Sequence, residues 1–251
     1  MTVIGCSTTK KQPVKEETTE EQIKELLDNV DVTVTQKPKI PKEEFTFSFY
    51  EDFESILEKT QNPESPIYIE KLLSKFQKGE SFTKMERIGL MVGGTSLPGY
   101  QDSRLEIMYA EIDSILLNLD NDKTNAKEEK IERVIELSDS CIAIFPLSIE
   151  GIVGNYYGYG KKNNSEKEKA YFGKGNIVFQ SMLKTGNFNN KEKPYIGFGN
   201  TCIYWYCMGF AQAGYKKVSE DLDSNGNIVQ GYKNMLGETD YYLIPKKKIK
   251  N

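Results

Sequence analysis

From Phe45 onward the large apolar residues recur at spacings of three and four, a period that predicts a succession of amphipathic helices. Phe47, Phe49, Tyr50, Phe53, Ile56 and Leu57 place the first over about 50–60, and Pro63 and Pro66 stop it. Ile69, Leu72, Leu73 and Phe76 line one face of a second over 67–78, with Gly79 as the residue just past its end. Thr83 and Glu86 have the spacing of a capping box, in which each side chain accepts from the other residue's backbone N–H. The helix they open carries Ile88, Leu90 and Met91 and is expected to break at Gly93-Gly94. A turn over 95–101 precedes a fourth helix from Arg104 to Leu119, which Asp120-Asn121-Asp122 stop.

The stretch 127–185 organises the rest. Ile131, Val134, Ile135, Ser138, Cys141, Ile142 and Phe145 begin two amphipathic helices after Ile131, hinged near Pro146-Leu147-Ser148 and again near Asn163-Asn164-Ser165. Counted from Pro146 as the end of a tetratricopeptide-like unit, Ile152, Tyr159, Phe172 and Gly175 stand where that repeat has large, aromatic, aromatic and small residues. Tyr156 and Glu168 depart from it, each standing where a small residue is usual. One such hairpin is unstable alone, so the earlier helices are expected to stack on it.

Beyond Thr185 the pattern changes. Gly186 to Lys193 is a polar loop, Ile203-Tyr204-Trp205-Tyr206-Cys207 suits a short buried strand, and 209–215 suits a short helix. Strands over 215–221 and 227–232 flank Asp223-Ser224-Asn225-Gly226, whose Asn-Gly pair is a strong hairpin signal, and 239–245 forms a last strand. The fold class is therefore α+β, mainly α: degenerate tetratricopeptide-like hairpins followed by a small C-terminal antiparallel sheet. The predicted domain is 45–251, helical over 45–185 with a β tail over 200–245. Residues 7–44, rich in Lys, Glu, Thr and Gln, bury too little apolar surface to offset their ordering entropy and read as a flexible tether.

Composition narrows the chemistry more than it names it. In 251 residues there is no histidine, which excludes Ser-His-Asp, Cys-His and His-ligated zinc sites. The net charge of −4 is spread along the chain, so nucleic acid has no basic footprint outside the tail 246–250. Cys6 follows Val3-Ile4-Gly5, which resembles a bacterial lipobox, where the cysteine is diacylated and becomes the new N-terminus. Residues 1–6 are then a lipobox remnant, and the polar tether suits a lipoprotein. Cys141, Cys202 and Cys207 are odd in number, and the last two lie on opposite faces of a strand or about 140° apart on a helix, so all three are expected as buried free thiols.

Three motifs imitate known sites. Ser81-Phe82-Thr83-Lys84, Ser138-Asp139-Ser140 and Lys184-Thr185-Gly186 follow the order of a serine acyl-enzyme, but Lys184 is expected to close a helix with Gly186 as its cap and Ser138 to sit mid-helix. Asp221 to Ile228 resembles the first eight positions of a calcium loop, yet Tyr232 stands where the bidentate glutamate belongs. The glycines at 154, 158 and 160 beside Lys161, and at 173 and 175, fit helix crossings better than a phosphate loop. Tyr156, Tyr157 and Tyr159 are expected mainly in the core, with one or two free to face a ligand.

Taken together, Phe49 to Gly79 with Tyr68-Ile69-Glu70-Lys71-Leu72-Leu73, the Thr83 capping box, Pro98-Gly99-Tyr100, the Ile142 to Pro146 hinge and the Asp221 to Tyr232 hairpin resemble a domain-of-unknown-function family of lipoproteins and related proteins from Bacteroides-type bacteria. The resemblance covers about Phe45 to Pro245. It implies a helical core related to tetratricopeptide repeats with a short β tail, and it transfers no catalytic residue. The expected function is a lipid-anchored binding or scaffolding module of the outer membrane facing the periplasm, with Cys6 lipidated and no cofactor. Tyr100, Arg104, Tyr157 and Trp205 are its candidate binding residues, for a peptide, glycan or protein partner. The alternative is a histidine-free hydrolase using paired carboxylates, although no Asp or Glu stands in an apolar context that would raise its pKa.

Overall fold

The computed structural model describes residues 45–119, 127–187, 189–207 and 215–247. Cys6, the tether through residue 44 and the stop at 120–122 lie outside them, as does the helix expected over 209–215 apart from Tyr215. The chain divides into a unit Met1–Phe45 and a unit Thr46–Asn251, and the second carries every described helix and strand.

Its helices are α1 Phe49–Gln61, α2 Ile69–Lys78, α3 Lys84–Gly94, α4 Ser103–Leu119, α5 Lys127–Ile144, α6 Ile149–Lys161, α7 Ser165–Met182 and α8 Asn200–Trp205. The strands are β1 Tyr195–Ile196, β2 Lys216–Leu222, β3 Ile228–Lys233 and β4 Thr239–Ile244, so the domain is α+β and mainly α. Local chemistry sets the helix ends. Gly79 takes the left-handed conformation at φ 69° and its N–H closes on Lys75 and Phe76. Thr83 Oγ1 accepts from Glu86 N at 3.3 Å while Glu86 accepts from Thr83 N at 2.8 Å, completing the capping box. Ser148 caps α6 and Asn164 caps α7, and Asn163 makes the sharp entry at φ 56°.

At the centre is α3. Ile88, Leu90, Met91 and Val92 are all fully buried, and α3 packs on α1, α2 and α7. It ends at Gly94, where the Gly93-Gly94 pair predicts a break. A Cβ at Gly93 would lie 2.9 Å from Ile69 Cδ1, and one at Gly94 would lie 2.7 Å from the Phe198 ring, so the glycines also admit close neighbours at the helix end. The stretch 127–185 resolves into three helices, α5, α6 and α7, each packed on the next, with α4 against α5. Gly151, Gly154 and Gly158 bring α6 close to α5, since Cβ atoms there would meet Ser138 O at 2.8 Å, Ser138 Oγ at 2.2 Å and Ile135 Cγ1 at 2.6 Å. Gly154 and Gly158 are packing glycines, as expected, whereas a Cβ at Gly173 would meet nothing within 4 Å. α7 ends at Met182, so Gly186 is not its cap but lies against the backbone of Pro194 and Tyr195.

The sheet has the order β1-β4-β3-β2 and is mixed, not purely antiparallel: β1 runs parallel to β4 with Tyr195 beside Tyr242, and the other two pairs are antiparallel. Thr185 holds β1 in place, its hydroxyl donating to Met182 O at 2.6 Å and accepting from Ile196 N at 2.8 Å. The run Ile203 to Cys207 is helical instead of a strand. Cys202, Ile203, Tyr206 and Cys207 are buried while Tyr204 is exposed, a period near 3.6 that turns one face to the core. Cys141, Cys202 and Cys207 are buried free thiols, each pushed up to about 12 by burial.

Candidate functional site

The four candidate binding residues meet different fates. Tyr100 is fully buried, donating its hydroxyl to Pro245 O at 2.6 Å and ringed by Phe145 and Phe198; it ties the α3–α4 turn to the end of β4 and offers no surface to a ligand. Arg104 is exposed and forked onto Asp102 through Nε at 2.9 Å and Nη2 at 2.7 Å, hydrogen bonds that hold the Asp102 carboxyl down at about 2. Tyr157 and Trp205 are brought together, with ring centroids 6.2 Å apart at 45°.

They form part of an aromatic groove of about 290 Å³. From α6 come Ile152, Val153, Tyr156 and Tyr157, and from α7 Tyr171, Phe172, Gly175, Asn176 and Phe179, at the spacings of three and four that put residues on one helix face. α8 adds Trp205. Tyr156 stands 5.1 Å from Tyr157 and 5.8 Å from Phe172, so these rings form one contiguous cluster along the groove. Tyr157 is 41% and Phe172 56% exposed, which places the aromatic cluster at the surface and not mainly in the core. No lining side chain carries a formal charge.

Tyr171 also carries contacts outside the groove. Tyr171 stacks on Tyr159 at 5.7 Å and 10°, and Lys167 and Lys174 sit over these two rings at 4.5 and 5.0 Å. Burial first, then the charge and hydrogen bond of Asp139, push the Tyr171 hydroxyl up to about 12. Asp139 also accepts from Asn155 Nδ2 at 2.8 Å. The central residue of Ser138-Asp139-Ser140 thus links α5 to α6 and α7.

A second cavity of about 590 Å³ is lined by Tyr109, Asp113, Ser148, Glu150, Phe198 and Asn200 among others. It corrects the expectation that no carboxylate sits in an apolar setting. Glu150 is 5% exposed, and burial raises the Asp113 carboxyl above its ordinary value. Tyr109 and Ser148 share a hydrogen bond at 3.0 Å, and the Tyr109 hydroxyl is pushed far up by burial and then by the Glu150 charge. In sequence Glu150 looks like an ordinary acid in a helix first turn, where the helix dipole favours a carboxylate. Only the elements that close over it distinguish it.

The imitated motifs have structural roles. Ser81 precedes α3 in a loop, Ser138 is buried between α5 and α6, and Thr185 anchors β1. Asp223 accepts from Asn225 N, Asn227 N and Asn227 Nδ2 at 2.8–2.9 Å, so its carboxylate is taken up by the hairpin turn, with Gly226 at φ 78°.

No curated protein and no solved structure matches the chain. Residues 54–224, from α1 into the turn after β2, match a family described as a domain of unknown function (DUF4919), and since they make up more than half of the chain, the protein belongs to that family.

Proposed function

We propose that the protein is a binding module of the cell envelope, held to the outer membrane by lipid on Cys6 and facing the periplasm, with the aromatic groove as its ligand site. α5, α6 and α7 serve as a degenerate tetratricopeptide-like scaffold, in which buried Ile152 lies beside Gly175 and Phe172 is turned outward. The observation that carries the reading is the gathering of Tyr156, Tyr157, Phe172 and Trp205 from three elements into one groove with two rings exposed. Exposed aromatic area of this kind marks a contact surface.

Trp205 is the chain's single tryptophan, so its fluorescence reports the groove directly. Peptide and glycan fractions of the envelope are expected to shift its emission in the wild type and not in Tyr157→Ala or Phe172→Ala. Absence of any shift, or one that survives both substitutions, refutes the site. For the anchor, Cys6→Ala should release the protein from membranes, and continued membrane association refutes it.

A carboxylate-dependent hydrolase is the second reading, favoured by buried Glu150 and the raised Asp113 in one cavity. Hydrolysis of aryl glycosides that is abolished in Glu150→Gln would support it, and equal rates in the two proteins would remove it.

A further inference from the structure

We infer that the ligand of the aromatic groove is a neutral oligosaccharide, bound through the face of a sugar ring; this rests on the groove being the ligand site. The first ground is charge. All ten lining residues are uncharged, and three neighbouring charges are engaged elsewhere: Lys174 over the Tyr171 ring, Lys167 hydrogen-bonded to Tyr159 at 3.1 Å, and Asp139 with Asn155. A charged ligand would give up hydration there without gaining a counter-charge.

The second ground is the distribution of polar groups. Apart from the indole N–H of Trp205 and the Tyr171 hydroxyl bonded to Asp139, side-chain hydrogen bonding in the groove comes from the hydroxyls of Tyr156 and Tyr157 and the Asn176 amide, neutral groups that both donate and accept. A pyranose matches this, with hydroxyls around its rim and C–H groups on its faces whose positive edges meet the negative faces of aromatic rings. Tyr156 with Phe172 and Tyr157 with Trp205 touch as pairs at 5.8 and 6.2 Å, so a pyranose would rest by one face on exposed Tyr157 or Phe172 and not enter between paired rings.

The third ground argues against a peptide. Both long walls are helices, whose interior N–H and C=O groups are used within the helix, so an extended peptide would find no backbone partner of the kind a sheet edge supplies. At about 290 Å³ the groove stands at the small end of ligand pockets and suits one ring of a chain at a time.

The test uses the full chain purified in detergent on an array of neutral oligosaccharides (maltohexaose, cellohexaose, xylohexaose and mannohexaose), anionic ones (hexagalacturonate and a heparin hexasaccharide) and capped neutral hexapeptides, with Trp205 fluorescence titrations of every hit. The expected result is binding among the neutral glycans that weakens about three- to tenfold in Tyr157→Ala and again in Phe172→Ala. Both side chains are exposed, so unchanged circular dichroism and melting temperature are expected alongside. Hits confined to anionic glycans, or neutral-glycan hits that survive both substitutions, overturn the inference. Peptide hits alone, lost in the two variants, overturn the saccharide and leave the groove as a site. If no probe binds, the saccharide inference falls together with the groove.

Discussion

Gly154 and Ser138 face each other across the α5–α6 contact, and their substitution has consequences that no single-site argument captures. A Cβ at residue 154 would fall 2.2 Å from Ser138 Oγ, and both residues are buried. Ser138 Oγ itself is buried with no hydrogen-bond partner. Gly154→Ala should gain about 1 kcal/mol of helix propensity and lose about 1–3 kcal/mol to overpacking, a net loss of about 0–2 kcal/mol. Ser138→Ala removes an unsatisfied hydroxyl and should gain about 1 kcal/mol. In the double variant the nearest remaining atoms are Ile112 Cγ2 and Ser138 Cβ, both at 3.4 Å, so the clash disappears while both gains remain. The double variant is then expected about 1–2 kcal/mol above wild type, with a coupling energy of about 1–3 kcal/mol. Urea denaturation at constant m, checked by thermal melts in which 1 kcal/mol shifts Tm by about 2–4 °C, measures all four corners of the cycle. Additive effects, or a Gly154→Ala variant more stable than wild type, would show that the hydroxyl simply rotates away and would refute the packing argument.

Other expectations rest on the same kind of contact. Tyr100→Phe should cost only about 1 kcal/mol or less, because Pro245 O keeps a hydrogen bond from Gln101 Nε2 at 3.1 Å; adding Gln101→Ala should cost more than the sum, as the carbonyl loses both donors, and strict additivity in chemical denaturation would contradict this. Thr83→Ala should lower stability by about 1 kcal/mol through loss of the α3 cap. At Glu86 burial works against ionisation but is outweighed by hydrogen bonds from Lys75 and Thr83, leaving its pKa below the ordinary 4.5; the stability it contributes is present above that value and lost as pH falls through the lower folded one. Glu86→Gln should therefore flatten the acid limb of a stability profile, and an unchanged limb would exclude the assignment. Cys141, Cys202 and Cys207 should be inert to a thiol reagent at pH 8 in the native protein and react once denaturant is added; prompt native labelling of any of them would contradict their burial.

The sequence by itself determined the features whose causes are local. Helix faces depend on residues three and four apart, the Thr83 cap on a partner three residues on, the Gly79 ending and the Asn225-Gly226 hairpin on backbone preferences of single residues. For that reason α1 to α4, the helical character of 127–185 with its two hinges, and the β2–β3 hairpin were legible, as was the exclusion of histidine chemistry. Tertiary structure decided whatever depends on a distant partner. β1 is two residues long and exists because Tyr242 and Thr185 flank it, so no periodicity announces it. Ile203 to Cys207 is apolar enough for either element, and the choice of helix comes from which side chains the core accepts. Gly93-Gly94 reads as a helix stop and is one, but that it also seats Ile69 and Phe198 only the fold decides. Tyr100 is a core residue because Pro245 meets its hydroxyl, while Tyr157 and Trp205 become neighbours only when α6, α7 and α8 assemble. Burial is a property of what packs above a residue, and for Glu150 and the aromatic groove those covering elements come from segments far apart in the chain.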